Sequence, residues 1–440
     1  MKQRSALFVV FLVVVIDLLG FGIVLPLLPL FGREHVGELL PGSHWAGLVI
    51  GALMAVFSLM QFVFAPLWGR ASDRVGRRPI LLVGLAGSVV FYLLFGYASD
   101  LPASQAGLAL ALLFAARAGA GVAGATISTA QAVIADRTTP EERKTGMALI
   151  GAAFGIGFTL GPLFGALSLH LWPGNHGVVG YAAAGLSLVA FVLGVALMPE
   201  TRDFASAPPA RREWLDLRAF GESMRNPALA PVMLTFFMAT LGFASFEVTL
   251  ALLNKDALGL AERNSYWIFA YVGFVLLLTQ GWLYRKLAKR MSEEAFMGLG
   301  ILLMGLGVLS LAGVTYAAVE LRADFNTLLP AQLAALALAV VGFAFLTPSA
   351  QALISRRADP ARQGEILGVN QSLSALARIL GPLLGLGLYN ATSSHMLPYV
   401  AGAALLLAML PLMPLVRRGS QIPNPKSQIP NPNPESEPRA

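Results

Sequence analysis

The chain has 440 residues and no cysteine, which removes disulfides, thiolate nucleophiles and cysteine metal sites from consideration. Charge is almost as scarce, at 12% Asp, Glu, Lys and Arg, roughly half of the ~25% common in soluble domains. The five histidines sit in or beside connections between apolar runs and show no metal-ligand spacing. No nucleophile–base constellation and no phosphate-cradling glycine loop is present, so the residues argue against an enzyme and against a cofactor. What fills the chain instead is apolar: 56% hydrophobic residues and a mean hydropathy of +0.69, more than a water-soluble fold uses.

A membrane-spanning helix takes ~20 mainly apolar residues. Runs of that kind recur at 6–31, 45–68, 79–99, 105–134, 146–169 and 178–198, then at 228–253, 265–284, 295–319, 327–354, 366–390 and 393–416. The pattern predicts an all-α membrane protein of twelve transmembrane helices in two groups of six. The first run is too long for a secretory signal, contains Asp17 and lacks a small-residue cleavage site, so it is read as helix 1.

The net charge of +7 would suggest nucleic acid in a soluble chain, but its placement reads as membrane topology. Arg117 and Arg378 lie inside apolar runs, and Arg33, Lys255, Arg263 and Arg322 fall in alternate connections; every other Lys and Arg lies on one side. The positive-inside rule makes that side cytoplasmic. The expectation is a multi-pass plasma (inner) membrane protein of bacterial type, with both termini cytoplasmic and no nucleic-acid partner. The segment 69–78 concentrates four arginines and Asp73 between two apolar runs. That is a charged hairpin whose glycines let two helix ends approach.

An internal repeat organises the rest. Gln131-Ala132-Val133-Ile134 aligns with Gln351-Ala352-Leu353-Ile354, and the same 220-residue offset pairs Pro140 with Pro360, Gly161 with Gly381, Pro162 with Pro382 and Gly165 with Gly385. Duplicated six-helix halves of one orientation occur in secondary transporters, with substrate bound between the halves near mid-membrane. The expected divisions are residues 1–199 and 227–417 for the halves, 200–226 for a cytoplasmic linker, and 418–440 for a Pro-rich, disordered tail. Gly157, Gly161 and Gly165 recur every four residues beside Pro162, and Gly381 with Pro382 repeats the pattern. Such stripes allow helices to pack backbone to backbone and to pivot.

Charges inside spans carry the chemistry. A lone charge at a helix centre costs ~2.5–3.5 kcal/mol on insertion scales, so Asp17, Arg117 and Arg378 need partners, water or a function. Asp17 and Arg117 are placed to share one polar cavity, and Glu247 in the outer part of helix 7 is placed to take up a proton. The proton-coupling candidates are therefore Asp17, Arg117 and Glu247. Gln61, Gln131, Gln280, Gln351, Asn370 and Gln371 are amides within or at the ends of spans that need partners. With Phe246, Tyr271 and Arg378, three of these, Gln61, Gln280 and Asn370, make up the substrate-cavity candidates.

The chain resembles the major facilitator superfamily, and within it the drug/proton antiporters around the tetracycline efflux proteins, up to about Leu415. Residues 69–78 are similar to the family's loop between helices 2 and 3, Arg117 with Gly121 to its helix 4 motif, and Gly157, Gly161, Pro162 and Gly165 to the helix 5 motif attributed to antiporters. Asp17-Leu18-Leu19-Gly20-Phe21-Gly22 matches the helix 1 pattern, and Gly381-Pro382-Leu383-Leu384 that of helix 11. The resemblance implies alternating access, with Gly69, Asp73, Arg74, Gly76, Arg77 and Arg78 forming a conformational lock and Arg117 taking part in proton coupling. It also implies a monomer. Tetracycline exporters carry acidic residues in helices 3 and 9, whereas segments 79–99 and 295–319 have none. Phe91 and Met304 occupy the aligned places, which argues against tetracycline itself. The matching loop of the second half has Lys289 where an aspartate would match Asp73.

The resulting expectation is proton-coupled efflux of a small amphiphilic compound. A metabolite exporter or proton-coupled uptake symporter on the same fold is the alternative within transport. A receptor that binds without transporting is the alternative from another class.

Overall fold

The computed structural model describes residues 2–26, 28–40, 45–137, 140–202, 217–288, 290–358 and 363–419. The side chains of Asp17, Asp73 and Gln131 lie outside the described residues, as do Lys289, Pro360, most of the linker and nearly all of the tail. Seventeen helices follow in order among the described residues. The first half contains α1 (Lys2–Val24), α2 (Leu28–Leu39), α3 (Ala46–Val75), α4 (Arg77–Ser99), α5 (Ala106–Gly124), α6 (Ile127–Arg137), α7 (Pro140–Leu171) and α8 (Val178–Leu197). After α9 (Leu217–Arg225), the second contains α10 (Ala230–Leu258), α11 (Glu262–Leu278), α12 (Tyr284–Leu287), α13 (Glu293–Val319), α14 (Phe325–Arg357), α15 (Gln363–Ala391), α16 (Leu397–Leu407) and α17 (Met413–Gly419).

Eleven spans among the described residues are long and apolar enough to cross a membrane, and the remaining expected run falls in α7, where Gly155–Leu171 is apolar. Some expected single helices are divided. Helix 1 breaks at Pro26, between α1 and α2, since proline removes a backbone donor. Helix 4 breaks at Ala125, between α5 and α6, and helix 8 passes through a π-helical turn at Thr279–Leu283. Stops and starts follow local chemistry: Gly259 at φ 62° closes α10, and Ser292 caps α13 by accepting from the Ala295 amide.

The helices form two six-helix bundles. Within the first, α1 packs on α7 and α8, and α4 on α5 and α8; within the second, α13 packs on α14 and α10 on α15. Two extensive pairings join the bundles, α3 with α15 and α7 with α11, and α2 meets α10 more lightly. Calling the end with the 69–78 loop the near end, the apolar core is unequal along the molecule. One buried cluster runs through both bundles, including Ile23, Leu53, Tyr266 and Leu386 toward the far end. A second, around Val13, Leu81, Val133 and Met198, belongs to the first bundle's near end.

Candidate functional site

At the near end α3 stops at Val75 and α4 begins at Arg77, with only Gly76 between them. Gly76 has φ +110°, a conformation open to glycine, and a Cβ there would lie 2.4 Å from Glu200 Oε2. The space is taken because Glu200, just beyond α8, caps α4 from a distance. Its carboxylate accepts from the backbone amides of Arg77 (2.9 Å) and Arg78 (3.1 Å), at a helix N-terminus that favours negative charge. Burial alone would raise the Glu200 carboxyl, but the amides of Arg202, Arg77, Arg78 and Thr201 outweigh it and hold it below its ordinary range.

The loop's side chains extend this clamp. Arg77 is 5% exposed, pairs with Asp136 at 3.0 Å and donates to Ser72 Oγ at 2.7 Å. Ser72 in turn donates to the Gly69 carbonyl. Arg78 donates to the Val195 carbonyl and Arg137 to that of Glu200. Arg74 is exposed, and the Asp73 side chain lies outside the described residues. Sequence reasoning did not single out Glu200 or Asp136 for a role. The signal was present, as each is a carboxylate closing an apolar run on the side of the arginine-rich loop.

At the far end the bundles are tied together. Arg33 on α2 pairs with Asp256 at the end of α10, which also accepts from Tyr389 at 3.1 Å. Tyr266 donates to the Ile23 carbonyl at 2.7 Å, and nearer the middle Thr159 donates to the Gly273 carbonyl at 2.9 Å.

The glycine stripes lie on these seams. A Cβ on Gly157 would come 2.7 Å from Leu18, one on Gly161 2.7 Å from Gly22, and one on Gly165 2.2 Å from the Tyr266 ring of the other bundle. In the second bundle a Cβ on Gly381 would come 2.6 Å from Ala244. The Pro382 carbonyl lies 2.9 Å from where Gly51 of α3 would carry one. Helices 5 and 11 therefore each touch a partner in their own bundle and one in the other.

The intramembrane charges fall into two groups. Arg117, 2% exposed, has its guanidinium 4.5 Å from the Phe57 ring centroid and 5.7 Å from that of Phe21. Its Nε and Nη1 have no hydrogen-bond partner among the described residues. A buried guanidinium against aromatic faces is favourable, but leaves donors to satisfy. In the second bundle Arg378 donates to Ser374 Oγ at 2.9 Å. Glu247 and Arg378 interact electrostatically, and no ion pair within 4 Å joins them among the described residues.

The remaining candidates divide. Gln61 donates to the Gly124 carbonyl, Gln280 to Thr347 Oγ1 and Tyr271 to the Leu333 carbonyl, so each ties helices together. Phe246 is buried edge-on to Phe243, which stacks on Phe343 at 4.0 Å. Asn370 is buried, and its Oδ1 has no partner among the described residues. Gln351 and Gln371 are exposed. The fully buried Gln332–Asn254 bond, 2.6 Å long, was not anticipated. Phe91 fills the space left by Gly119 on α5, and Met304 is fully buried, so both positions are taken up by packing. No cluster of metal-ligating side chains occurs among the described residues.

These features match known proteins along nearly the whole chain. The family model described as Major Facilitator Superfamily matches residues 10–321 and 285–439. The class C tetracycline resistance protein of Escherichia coli is 31% identical, over 96% of this chain and 98% of that protein. Major facilitator superfamily domain-containing protein 10 of Mus musculus is 27% identical over 94% and 93%. Among solved structures, the human organic anion transporter MFSD10 superposes with a TM-score of 0.65 at 25% identity, covering 93% and 99% of the two chains. A D-xylose–proton symporter shares the fold, with a TM-score of 0.76 at 15% identity, covering 94% and 97%. The protein is a multi-pass membrane transporter of small molecules, not an enzyme, and belongs to the Major Facilitator Superfamily.

Proposed function

We propose that the protein exports a small amphiphilic compound in exchange for protons by alternating access, with the near end in the cytoplasm. The observation that carries this is the set of intramembrane charges without ion pairs among the described residues: Arg117 in the first bundle, Glu247 and Arg378 in the second. Unpaired charge in a span is costly and is retained where ions or protons move. Glu247 is half-buried in α10, and Asp17 shares α1 with Phe21, which packs against Arg117. The described ties between bundles lie at the far end and the middle, which fits a state closed to the outside. The near-end clamp lies within the first bundle and acts as the lock's rigid half. The boundaries 1–199, 200–226, 227–417 and 418–440, a monomeric state and the resemblance of the substrate to a drug belong to the same reading. Its relatives include tetracycline resistance proteins, and the replacement of acids by Phe91 and Met304 points to another compound than tetracycline.

The test is proton flux in liposomes under an imposed pH gradient on addition of a panel of amphiphilic drugs. Wild type is compared with Asp17→Asn, Arg117→Ala and Glu247→Gln. Drug-evoked flux abolished by Asp17→Asn or Glu247→Gln identifies the proton carrier. Flux that survives all three changes overturns the coupling assignment, and absence of drug-evoked flux in active vesicles turns the reading to a metabolite transporter.

A further inference from the structure

The internal repeat supplies its own control for α15. Asn370, Ser374 and Arg378 are spaced by four, so they lie on one face of the helix. The 220-residue offset places Ile150, Phe154 and Phe158 at the equivalent positions of helix 5. The second half thus carries polar residues where its repeat carries apolar ones. Arg378 lies one turn before Gly381, which meets α10, and Pro382, which meets α3 of the other bundle. The stripe therefore runs along the helix that forms the seam between bundles.

Its polar groups are also incompletely satisfied. Arg378 is half-buried, and its described hydrogen bond goes to Ser374 one turn back on its own helix. Asn370, 3% exposed, has an Oδ1 with no partner among the described residues. Glu247 is near enough for attraction but not for an ion pair within 4 Å. A guanidinium has five donors in a planar fork that matches a carboxylate. On α10, Phe243 lies one turn from Glu247 and stacks on Phe343, so an aromatic surface lies beside the charges.

We propose that Arg378, flanked by Ser374 and Asn370, recognises an anionic group, a carboxylate or enolate, on an amphiphilic aromatic substrate. The substrate anion takes the place beside Arg378 that Glu247 approaches without reaching. Glu247, itself an anion, competes for Arg378 and weakens the binding of the substrate anion. This specificity reading rests on the transport function proposed above and narrows its substrate class.

The test is equilibrium binding to the purified full-length chain in nanodiscs, using three matched probes: 2-naphthoate, 2-naphthamide and 2-naphthylmethylammonium. Wild type is expected to prefer the anion over the amide by about tenfold, the size of one charge-assisted fork. In Arg378→Gln that ratio falls to about one, and in Arg378→Lys it stays several-fold because the charge remains though the fork is lost. In Glu247→Gln the anion binds more tightly than in wild type. Size-exclusion profile and thermal unfolding of each variant check that it is folded. An unchanged ratio in Arg378→Gln, a wild type that prefers the amide or the ammonium, or one that binds none of the three overturns the proposal. Proton flux in liposomes separates the two readings. Anion binding through Arg378 without flux removes antiport alone, and flux evoked by the ammonium but not the anion removes the anion site alone.

Discussion

The third helix of each bundle begins at the same place in the fold, yet the two first turns are satisfied in opposite ways. In the first bundle α4 is capped by Glu200, 123 residues away from Arg77, and carries the cation of an ion pair whose acid, Asp136, ends α6. In the second bundle α13 is capped locally by Ser292 and carries the acid, Glu293, of a pair whose cation, Arg356, ends α14. The polarity is reversed and the pairing is doubled: Arg356 and Glu293 are 55% and 29% exposed, while the neighbouring pair Arg357–Glu294, at 7% and 13%, is as buried as Arg77 and Asp136 at 6% and 23%. One feature is common to both bundles. Arg137 and its repeat partner Arg357 each donate to the carbonyl of a residue at the close of the bundle, Glu200 and Val416. A shared backbone clasp thus holds each bundle, and the long-range carboxylate clamp is particular to the first.

The largest expected effect is from Arg77→Ala, which removes a buried guanidinium with its bonds to Asp136 and Ser72 and should cost roughly 3–5 kcal/mol, read as thermal unfolding in detergent. Gly76→Ala comes next. Its Cβ would displace the Glu200 carboxylate and be held at a positive φ, for a combined loss of roughly 2–4 kcal/mol by the same measurement. A Gly76→Ala protein as stable as wild type would break the contrast between the bundles.

The pH dependence of Glu200→Gln sharpens it. Because the folded state holds the Glu200 carboxyl below its ordinary value of 4.5, its stabilisation is fully present above that value and is lost as pH falls through the depressed folded one. The melting temperature of wild type should therefore exceed that of Glu200→Gln at pH 7, and the gap should close at acid pH. Ser292→Ala, which removes the local cap in the second bundle, should cost about 1 kcal/mol. Arg356→Ala, at an exposed pair, should cost ~0–1 kcal/mol and less in high salt. A loss there as large as that of Arg77→Ala would show that the two pairs are equivalent after all.

Much of this fold was legible in the chain because the bilayer imposes a strong rule: apolar runs of spanning length become helices. The repeat was legible for the same reason, since Gly161-Pro162 and Gly381-Pro382 each allow a close helix contact that few other residues permit. Breaks within runs were less readable. Pro26 announces one, but the break at Ala125 follows Gly124 and the π turn at Thr279–Leu283 contains Gly281, and with 45 glycines in the chain neither residue marks a break by itself. The site was half legible. Arg117, Glu247 and Arg378 stand out as charges in apolar surroundings, whereas Glu200 and Asp136 are ordinary boundary acids until folding brings them to the 69–78 loop.

The amino-acid sequence by itself determined that this is a duplicated helical membrane protein with a charged hairpin and rare charges inside its spans, because hydrophobicity and periodicity are local properties. Tertiary structure alone decided which charges meet. Arg77 finds Asp136, Arg33 finds Asp256, and Arg117 rests on Phe21 and Phe57, since each contact depends on how distant helices cross. The same crossing sets the Glu200 cap and the polar stripe of α15 at the seam, where a few ångströms of backbone approach separate a partner from a neighbour.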